Sequence, residues 1–367
     1  MTRELWLVDH APIMGGAEQL VLKIAAHARA RGDVRAVVVC PAHSELARRS
    51  RAAGVELRTL AMPHFAGPAA PLVPLAVARL ARLLRGAGPD AVPVGASAWC
   101  QALLAACAPL LPGRPILHLL AEQLTAERAS ARAVLARVGL PVALGANAAA
   151  TYVRALGRGD VARFNNVLSD AELAAAALAP RRRRGGAAAR EGGPPAIGVL
   201  ARFIADKGLV ELVDELAAAP RAWSVARLAG DAQDGAYVDA VRARIAARGL
   251  EGRVELVGRV EDVGAFLDDV DAIVVPSTGS EGQPTVILEA LARGCGAVVR
   301  RPIFSADYAG LPVVAYDGEQ DLGAALAGLP DEPAAPAALK ARFGGDQALA
   351  ALLAAAEAAG ALRRVRR

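Results

Sequence analysis

The hydrophobic residues of this chain alternate between short apolar runs and longer segments with helical spacing, and this alternation is what most constrains the fold. In the first half, strand-like segments lie at residues 5–8, 36–40, 56–60, 91–94, 116–119 and 142–144. A helical segment follows the first run, where Leu20, Ile24 and Ala28 share one face. Strands that alternate with helices form parallel βαβ units.

The alternation starts again in the second half of the chain, with strand-like runs at residues 196–200, 223–229, 254–257, 272–275 and 297–299. Residues 179–195, rich in arginine, glycine and proline, separate the two series and suit a flexible surface segment. The sequence therefore predicts an α/β protein with two Rossmann-like, doubly wound domains that face a central cleft. Ligands of such domains bind at the carboxyl ends of the strands.

The chain length of 367 residues agrees with two domains. We place the N-terminal domain at residues 1–170 and a basic, Gly/Pro-rich interdomain segment at 171–195. The C-terminal domain follows at 196–345. A C-terminal helix at 346–367 is expected to pack back across the interdomain surface.

The positive charge of the chain does not indicate a nucleic-acid-binding protein. The formal net charge is +5, but the arginines are spread along helices with acidic neighbours. The four tyrosines, three tryptophans and six phenylalanines offer few rings for base stacking. We therefore expect no nucleic-acid partner.

Cysteine usage and hydropathy predict a cytoplasmic protein without a transmembrane segment. The cysteines lie in apolar surroundings without a C-x-x-C pair, as buried free thiols do, at positions Cys40, Cys100, Cys107 and Cys295. The N-terminus enters a strand directly and does not resemble a signal peptide. The uncharged run 91–113 has the length of a membrane span, but Pro93, Pro109 and Pro112 interrupt it, so we interpret it as a strand, a turn and a short helix.

One stretch carries most of the chemical information. The apolar run 272–275 is followed by a turn that contains Glu281, and then by a helix that begins near Pro284 and ends at Gly294. The amides at the start of this helix, notably those of Thr285 and Val286, can bind an anion. Glu281 and Glu289 add carboxylates that accept hydrogen bonds from hydroxyl groups. Amides that donate hydrogen bonds to a phosphate, beside carboxylates that accept them from hydroxyl groups, indicate a nucleotide sugar.

Two cations add to this prediction. Arg202 follows the strand at 196–200, and Lys207 comes at the end of the next turn, where a helix begins. Lysine is rare in this chain, since only three of the 42 basic residues are lysines. An arginine and a lysine at the end of a strand can neutralise a diphosphate.

The stretch from Glu281 to Glu289 resembles the E-x7-E motif of retaining glycosyltransferases of family 4, which have the GT-B fold. Residues 197–208, including Arg202 and Lys207, are similar to the strand and "GRL…KG" turn of that family, with Ala201 where glycine is usual. Gly15-Gly16-Ala17-Glu18 resembles its N-terminal glycine loop. The resemblance covers about residues 3–300 and is strongest over 197–294.

The resemblance implies roles for the residues of these motifs. Glu289 would hold the ribose hydroxyls, and Glu281 would contact the donor sugar close to its anomeric carbon. Gly15 and Gly16 would let the backbone approach the sugar or the phosphate. The loop before the motif helix would complete the substrate site through Gly282, Gln283 and Pro284, together with Thr285 and Val286.

The chain departs from the family at one position. The family commonly carries a histidine near the transferred sugar, but the corresponding place here holds Ala121, and His118 lies about three positions earlier, inside a strand. We keep His118 as a catalytic candidate beside its alternative, a satisfied core histidine. His10 or Glu122 are the other candidates for the acceptor side.

The resulting prediction is a retaining glycosyltransferase that needs neither a metal nor a cofactor. Its donor would be a UDP-sugar, or secondly a GDP-sugar, and its acceptor a small molecule or a glycan. A nucleotide-sugar epimerase and a non-catalytic GT-B scaffold are the alternatives. The sequence gives no indication of the oligomeric state.

Overall fold

The computed structural model describes residues 3–10, 14–63, 68–88, 90–120, 129–178, 193–232, 234–279 and 281–365. The described residues form two compact units. The first unit is drawn from Met1–Asp170 together with Arg342–Arg367, and the second from Ala171–Ala341. Each unit is built around one parallel sheet.

The sheet of the first unit has seven parallel strands in the order β3-β2-β1-β4-β5-β6-β7. Its strands are β1 (Arg3–Val8), β2 (Val34–Cys40), β3 (Glu56–Thr59), β4 (Ala91–Gly95), β5 (Leu117–Leu120), β6 (Leu140–Leu144) and β7 (Ala162–Phe164). The helices of this unit are α1 (Gly16–Arg31), α2 (Glu45–Ala52), α3 (Val73–Arg85), α4 (Ala98–Cys107), α5 (Ala129–Arg137) and α6 (Gly145–Leu156). Helix α7 (Asp170–Leu178) follows β7, and all of it except Asp170 belongs to the second unit.

The sheet of the second unit has six parallel strands in the order β10-β9-β8-β11-β12-β13. Its strands are β8 (Ile197–Leu200), β9 (Ala226–Ala229), β10 (Val254–Gly258), β11 (Ala272–Val275), β12 (Gly296–Arg300) and β13 (Val313–Tyr316). Its helices are α8 (Leu209–Ala218), α9 (Gly235–Ala247), α10 (Val263–Asp268), α11 (Thr285–Ala292), α12 (Leu322–Ala327) and α13 (Pro336–Phe343).

The C-terminal helix α14 (Gly345–Val365) belongs to the first unit. Its buried residues Ala348, Leu349 and Leu352 belong to the same hydrophobic core as Leu5 of β1 and Ile24 of α1. Charged contacts at its start reinforce this packing, since Asp346 accepts hydrogen bonds from Arg31 at 2.9 Å and lies 3.1 Å from His27 Nε2. The C-terminal helix is therefore part of the first unit, which the N-terminal residues form.

Strand order determines where each sheet can bind a ligand. In the first sheet the chain winds outward in one direction from β1 and in the other from β4, and in the second sheet it does so from β8 and from β11. The loops that leave two such neighbouring strands diverge at their carboxyl ends and leave a crevice. We call the place where two such strands lie side by side a switch point. It lies between β1 and β4 in the first unit (the β1/β4 switch point) and between β8 and β11 in the second unit (the β8/β11 switch point).

The predicted fold class, α/β with two Rossmann-like domains, is confirmed. The uncharged run 91–113 forms β4 and α4, and within the described residues no helix is long and apolar enough to cross a bilayer. Some details differ. The sequence analysis did not identify β7 or β13, and residues 170–178, mostly within the predicted interdomain segment, form α7. Residues 179–192 of that segment lie outside the described residues, as do Ala121 and Glu122.

Candidate active site

The loops that follow β8 and β11 pack against each other at the carboxyl edge of the second sheet. The backbone amides of Thr278 and Gly279 each donate a hydrogen bond of 3.0 Å to the carbonyl oxygen of Asp206. Asp206 lies in the short 3₁₀ turn Ala205–Lys207, and Thr278 lies three residues after β11. These hydrogen bonds fix the two loops of the β8/β11 switch point relative to each other.

Gly208 makes this approach possible. Its φ of +67° places it in the left-handed region, and a Cβ atom there would overlap the carbonyl oxygen of Pro276. Only glycine satisfies both conditions without strain. Lys207 is the residue directly before Gly208. The close contact of Gly208 with the Pro276 carbonyl therefore also fixes the position of the Lys207 backbone.

Lys207 and Glu281 meet at this switch point. Lys207 Nζ donates to Glu281 Oε1 over 2.8 Å, and the two side chains retain 14% and 19% of their exposure. The hydroxyl of Ser277, a buried residue two positions after β11, donates to the same carboxylate oxygen. A half-buried ion pair with a third hydrogen-bonding group holds the carboxylate in one orientation.

Tyr308 is a buried phenol whose pKa is influenced by the charge of Glu281. Its side chain is fully buried, and burial raises the pKa of the phenol well above its usual value, with smaller contributions from the charges of Asp307 and Glu281. The phenol therefore stays protonated at physiological pH. Lys207 and Ser277 both donate hydrogen bonds to Glu281 Oε1.

The helix predicted after Glu281 is α11, and it begins at Thr285, one residue later than expected. Pro284 is its N-cap, with ψ of 126°, and Gly294 ends it with φ of 78° as expected. Gly282 and Gln283 are buried before the helix, whereas Thr285, Val286 and Glu289 are partly exposed. The first turn of such a helix directs backbone N–H groups outward, where they can bind an anion.

Arg202 lies on the loop that leaves β8. Backbone hydrogen bonds on both sides hold this loop against the end of β9, from Ala201 N to Ala229 O at 3.0 Å and from Phe203 N to Asp231 O at 2.9 Å. Phe203 is buried, so the alternation of an extended chain directs the guanidinium of Arg202 to solvent. The second unit thus presents Arg202, Lys207, Glu281 and the start of α11 at the carboxyl edge of one sheet.

The first unit has a smaller polar group at its own switch point. His10 follows β1, and its Nδ1 lies 2.9 Å from the hydroxyl of Ser97, which follows β4. The rings of His10 and Trp99 are 6.0 Å apart and tilted by 36°. Gly15 and Gly16 are exposed at the start of α1, where the Gly15 amide donates to Glu18 Oε2 at 2.7 Å.

His118 is a core residue, so its position does not support the catalytic role we predicted. Its side chain is fully buried, and Nε2 lies 2.8 Å from the carbonyl oxygen of Val138. Val138 precedes β6 and therefore lies at the amino edge of the parallel sheet, opposite the edge where ligands bind. The alternative reading of His118 as a satisfied core histidine fits the geometry.

The sequence analysis missed several polar residues of these edges. Ser277, Ser97 and Trp99 each come within a few residues of a strand end, and that position was the available signal. Arg300, at the end of β12, was missed because the chain is rich in arginine. Its guanidinium lies behind the β11 loop, where Nε donates to the carbonyl of Pro276 over 2.9 Å.

Comparison with known proteins supports a glycosyltransferase. Residues 194–335 match the family model described as "Glycosyl transferases group 1". This span covers the strands that carry Arg202, Lys207, Glu281 and Glu289. A search of curated proteins by sequence finds no match.

Solved glycosyltransferases share the fold over nearly the whole chain. HepE from Anabaena, in complex with UDP and glucose, is 20% identical, with a TM-score of 0.70, covering 95% of this chain and 99% of HepE. A glycosyltransferase from Rickettsia africae is 14% identical with a TM-score of 0.75, covering 98% of both chains. The lipopolysaccharide outer core galactosyltransferase WaaB is 13% identical with a TM-score of 0.70, covering 96% of this chain and 99% of WaaB. The architecture is that of GT-B glycosyltransferases.

Proposed function

We propose that this protein is a retaining glycosyltransferase that moves a sugar from a UDP-sugar to the hydroxyl group of an acceptor. A GDP-sugar is the second choice of donor. The observation that carries the proposal is the Lys207–Glu281 pair, held at the β8/β11 switch point beside the start of α11.

The cations of the second unit suit a diphosphate. An ammonium group has three N–H donors, so Lys207 can hold Glu281 and a phosphate oxygen together. Arg202 can add a bidentate contact, and the first-turn amides of α11 at Thr285 and Val286 can add two more donors. When the bond between the sugar and the β-phosphate breaks, negative charge grows on the phosphate, and these groups stabilise it. We therefore propose a reaction that does not depend on a divalent cation.

The two carboxylates suit the two sugars of the donor. Glu289, in the second turn of α11, would accept hydrogen bonds from the ribose hydroxyls. Glu281, oriented by Lys207 and Ser277, would contact the transferred sugar near its anomeric carbon. Gly282, Gln283 and Pro284 connect the two carboxylates and would line the same site. Crystals of the structurally similar HepE contain UDP, glucose or UDP-glucose, which supports UDP as the nucleotide.

The acceptor hydroxyl would attack on the face from which the nucleotide leaves. We assign no covalent nucleophile, so the departing phosphate would take the proton of the acceptor hydroxyl. His10 with Ser97, and the backbone at Gly15 and Gly16, are the groups of the first unit that we assign to the acceptor and the sugar. A natural product or a cell-envelope glycan would fit the role of acceptor. WaaB, a lipopolysaccharide outer core galactosyltransferase, has a similar fold.

The test is incubation of the protein with a panel of UDP- and GDP-sugars, followed by proton NMR. The proposal predicts release of UDP from one UDP-sugar, faster with the right acceptor, and a product whose anomeric configuration equals that of the donor. An inverted product would contradict the retaining mechanism. Conversion of the donor to its 2-epimer without release of nucleotide would establish the epimerase instead.

A further inference from the structure

Arg300 connects the interior of the second unit to the loop of the candidate site. It is the last residue of β12 and keeps only 14% of its side-chain exposure. Its Nε donates a hydrogen bond of 2.9 Å to the carbonyl oxygen of Pro276, the first residue after β11. A different nitrogen of the same guanidinium, Nη2, donates to Glu215 Oε1.

On the other side of this contact, Glu215 is buried and both of its carboxylate oxygens accept hydrogen bonds. Glu215 lies in α8 with 2% exposure, and its second oxygen accepts a hydrogen bond of 3.0 Å from the hydroxyl of Tyr316 in β13. The guanidinium carbon of Arg300 lies 5.3 Å from the centre of the Tyr316 ring. Arg300, carried by β12, is thus contacted by Glu215 of α8 and Tyr316 of β13. These contacts orient its planar guanidinium so that Nε donates to the Pro276 carbonyl.

The Pro276 carbonyl is the point where both site loops converge. On one side it packs against Gly208, next to Lys207. On the other side it is followed by Ser277, whose hydroxyl donates to Glu281. A shift of this carbonyl would move the Ser277 hydroxyl and release the packing of the Lys207 turn.

From these contacts we propose that Arg300 is a positioning residue, which anchors the Pro276 carbonyl and through it holds Ser277, Glu281 and Lys207 in their productive arrangement. The effect that we expect of Arg300 on kcat rests on the proposed function, whereas the anchoring of the Pro276 carbonyl does not. Arg300 reaches the reacting groups only through the loop.

Hydrogen exchange tests the anchoring without any assay of activity. In Arg300→Lys a single ammonium nitrogen cannot occupy the separate positions of Nε and Nη2. The charged contact with the buried Glu215 carboxylate keeps it, so the hydrogen bond to Pro276 is lost. We expect the amides of Thr278 and Gly279 to exchange about tenfold faster, because a hydrogen bond that anchors their loop is lost. The control is Arg301→Lys, because the neighbouring Arg301 pairs with Asp317 at an exposed position. It should change no exchange rate at residues 277–279.

The double variant Glu215→Gln/Arg300→Met keeps the test valid if Arg300→Lys folds poorly. It removes both buried charges together, so neither is left unpaired in the interior. It still lacks the donor to Pro276, and the same faster exchange is expected.

Kinetics tests the consequence. Arg300→Lys should lower kcat about 10- to 100-fold, as misplacement of a catalytic group does. The affinity for free UDP should fall less than kcat, since Lys207 is only one of the groups that bind the nucleotide, and Arg202, the first-turn amides of α11 and Glu289 keep their positions. In a Ser277→Ala background, Arg300→Lys should lose most of its effect, because coupled residues are not additive.

Unchanged exchange at residues 277–279 in both Arg300 variants would overturn the anchoring, and so would equal acceleration throughout the unit. Full additivity with Ser277→Ala would overturn the positioning role. If the wild-type protein turns over no nucleotide sugar while the predicted exchange is observed, the anchoring stands and the proposed function fails.

Discussion

Lys207 Nζ lies 2.8 Å from Glu281 Oε1, although the two residues are 74 positions apart in the chain. Each of them follows a different strand of the β8/β11 switch point, and the backbone hydrogen bonds from Thr278 and Gly279 to Asp206 hold their loops together. A cation suited to a phosphate and a carboxylate suited to a hydroxyl thus share one location. This arrangement is what a nucleotide-sugar site requires.

Gly208→Ala should damage both stability and turnover. The added Cβ is strained at φ +67° and overlaps the Pro276 carbonyl, so the loops must separate. Gly249→Ala is a matched control, since Gly249 has φ +63° and no atom within 4 Å of its added Cβ. The strain shared by both costs about 1–2 kcal/mol. Thermal unfolding and donor turnover should show a larger loss for Gly208→Ala, and equal losses would contradict the importance of the contact.

The two carboxylates should separate binding from turnover. Glu289→Ala should weaken the binding of free UDP by about 1–3 kcal/mol, because ribose hydroxyls lose a charged acceptor. Glu281→Ala should leave UDP binding nearly unchanged and lower kcat. Calorimetric titration measures the first effect, with Glu251→Ala, an exposed glutamate, as the control. Equal losses of UDP affinity in both variants would refute this division of roles.

His118→Leu should lower stability but not the activity of the folded protein. The leucine removes the hydrogen bond to the partly buried carbonyl of Val138, which costs about 0.5–1.5 kcal/mol. The measurements are chemical unfolding and the kcat of the purified variant. A stable variant with a large loss of kcat would restore the catalytic role that the sequence suggested.

Most of the fold could be predicted from the sequence because the periodicity of apolar residues marks buried strands and helices directly. The two strands that were missed lie at the edges of their sheets. β7 has three residues, of which Arg163 is exposed, and the two central residues of β13 are only partly buried. Edge strands need fewer buried residues, so their apolar runs are too weak to recognise.

The candidate site was predictable as a set of residues but not as a set of contacts. The positions of Arg202, Lys207, Glu281 and Glu289 at strand or helix ends are visible in the sequence. The direct pairing of Lys207 with Glu281 depends on the strand order, which places β11 beside β8. The two readings of His118, a catalytic residue or a core histidine, could not be separated by sequence, because sequence alone cannot show that its ring reaches the Val138 carbonyl.

Removal of divalent cations should leave the reaction intact. If Arg202, Lys207 and the amides of α11 neutralise the diphosphate, no Mg²⁺ is required to stabilise the leaving group. Donor turnover measured in EDTA should therefore equal that in Mg²⁺. A large loss in EDTA that added Mg²⁺ restores would contradict the assigned role of these residues.

The most direct test of the donor site is the rate at which wild type, Lys207→Ala and Arg202→Ala release UDP from the best UDP-sugar. Each substitution should lower kcat/KM by at least about 10²-fold, as the loss of a group that stabilises transition-state charge does. The matched controls are Lys340→Ala on α13 and Arg242→Ala on α9, both exposed and outside the candidate site, and they should keep wild-type rates. Near-normal kcat/KM in both Lys207→Ala and Arg202→Ala would contradict the assignment of the β8/β11 switch point as the donor site.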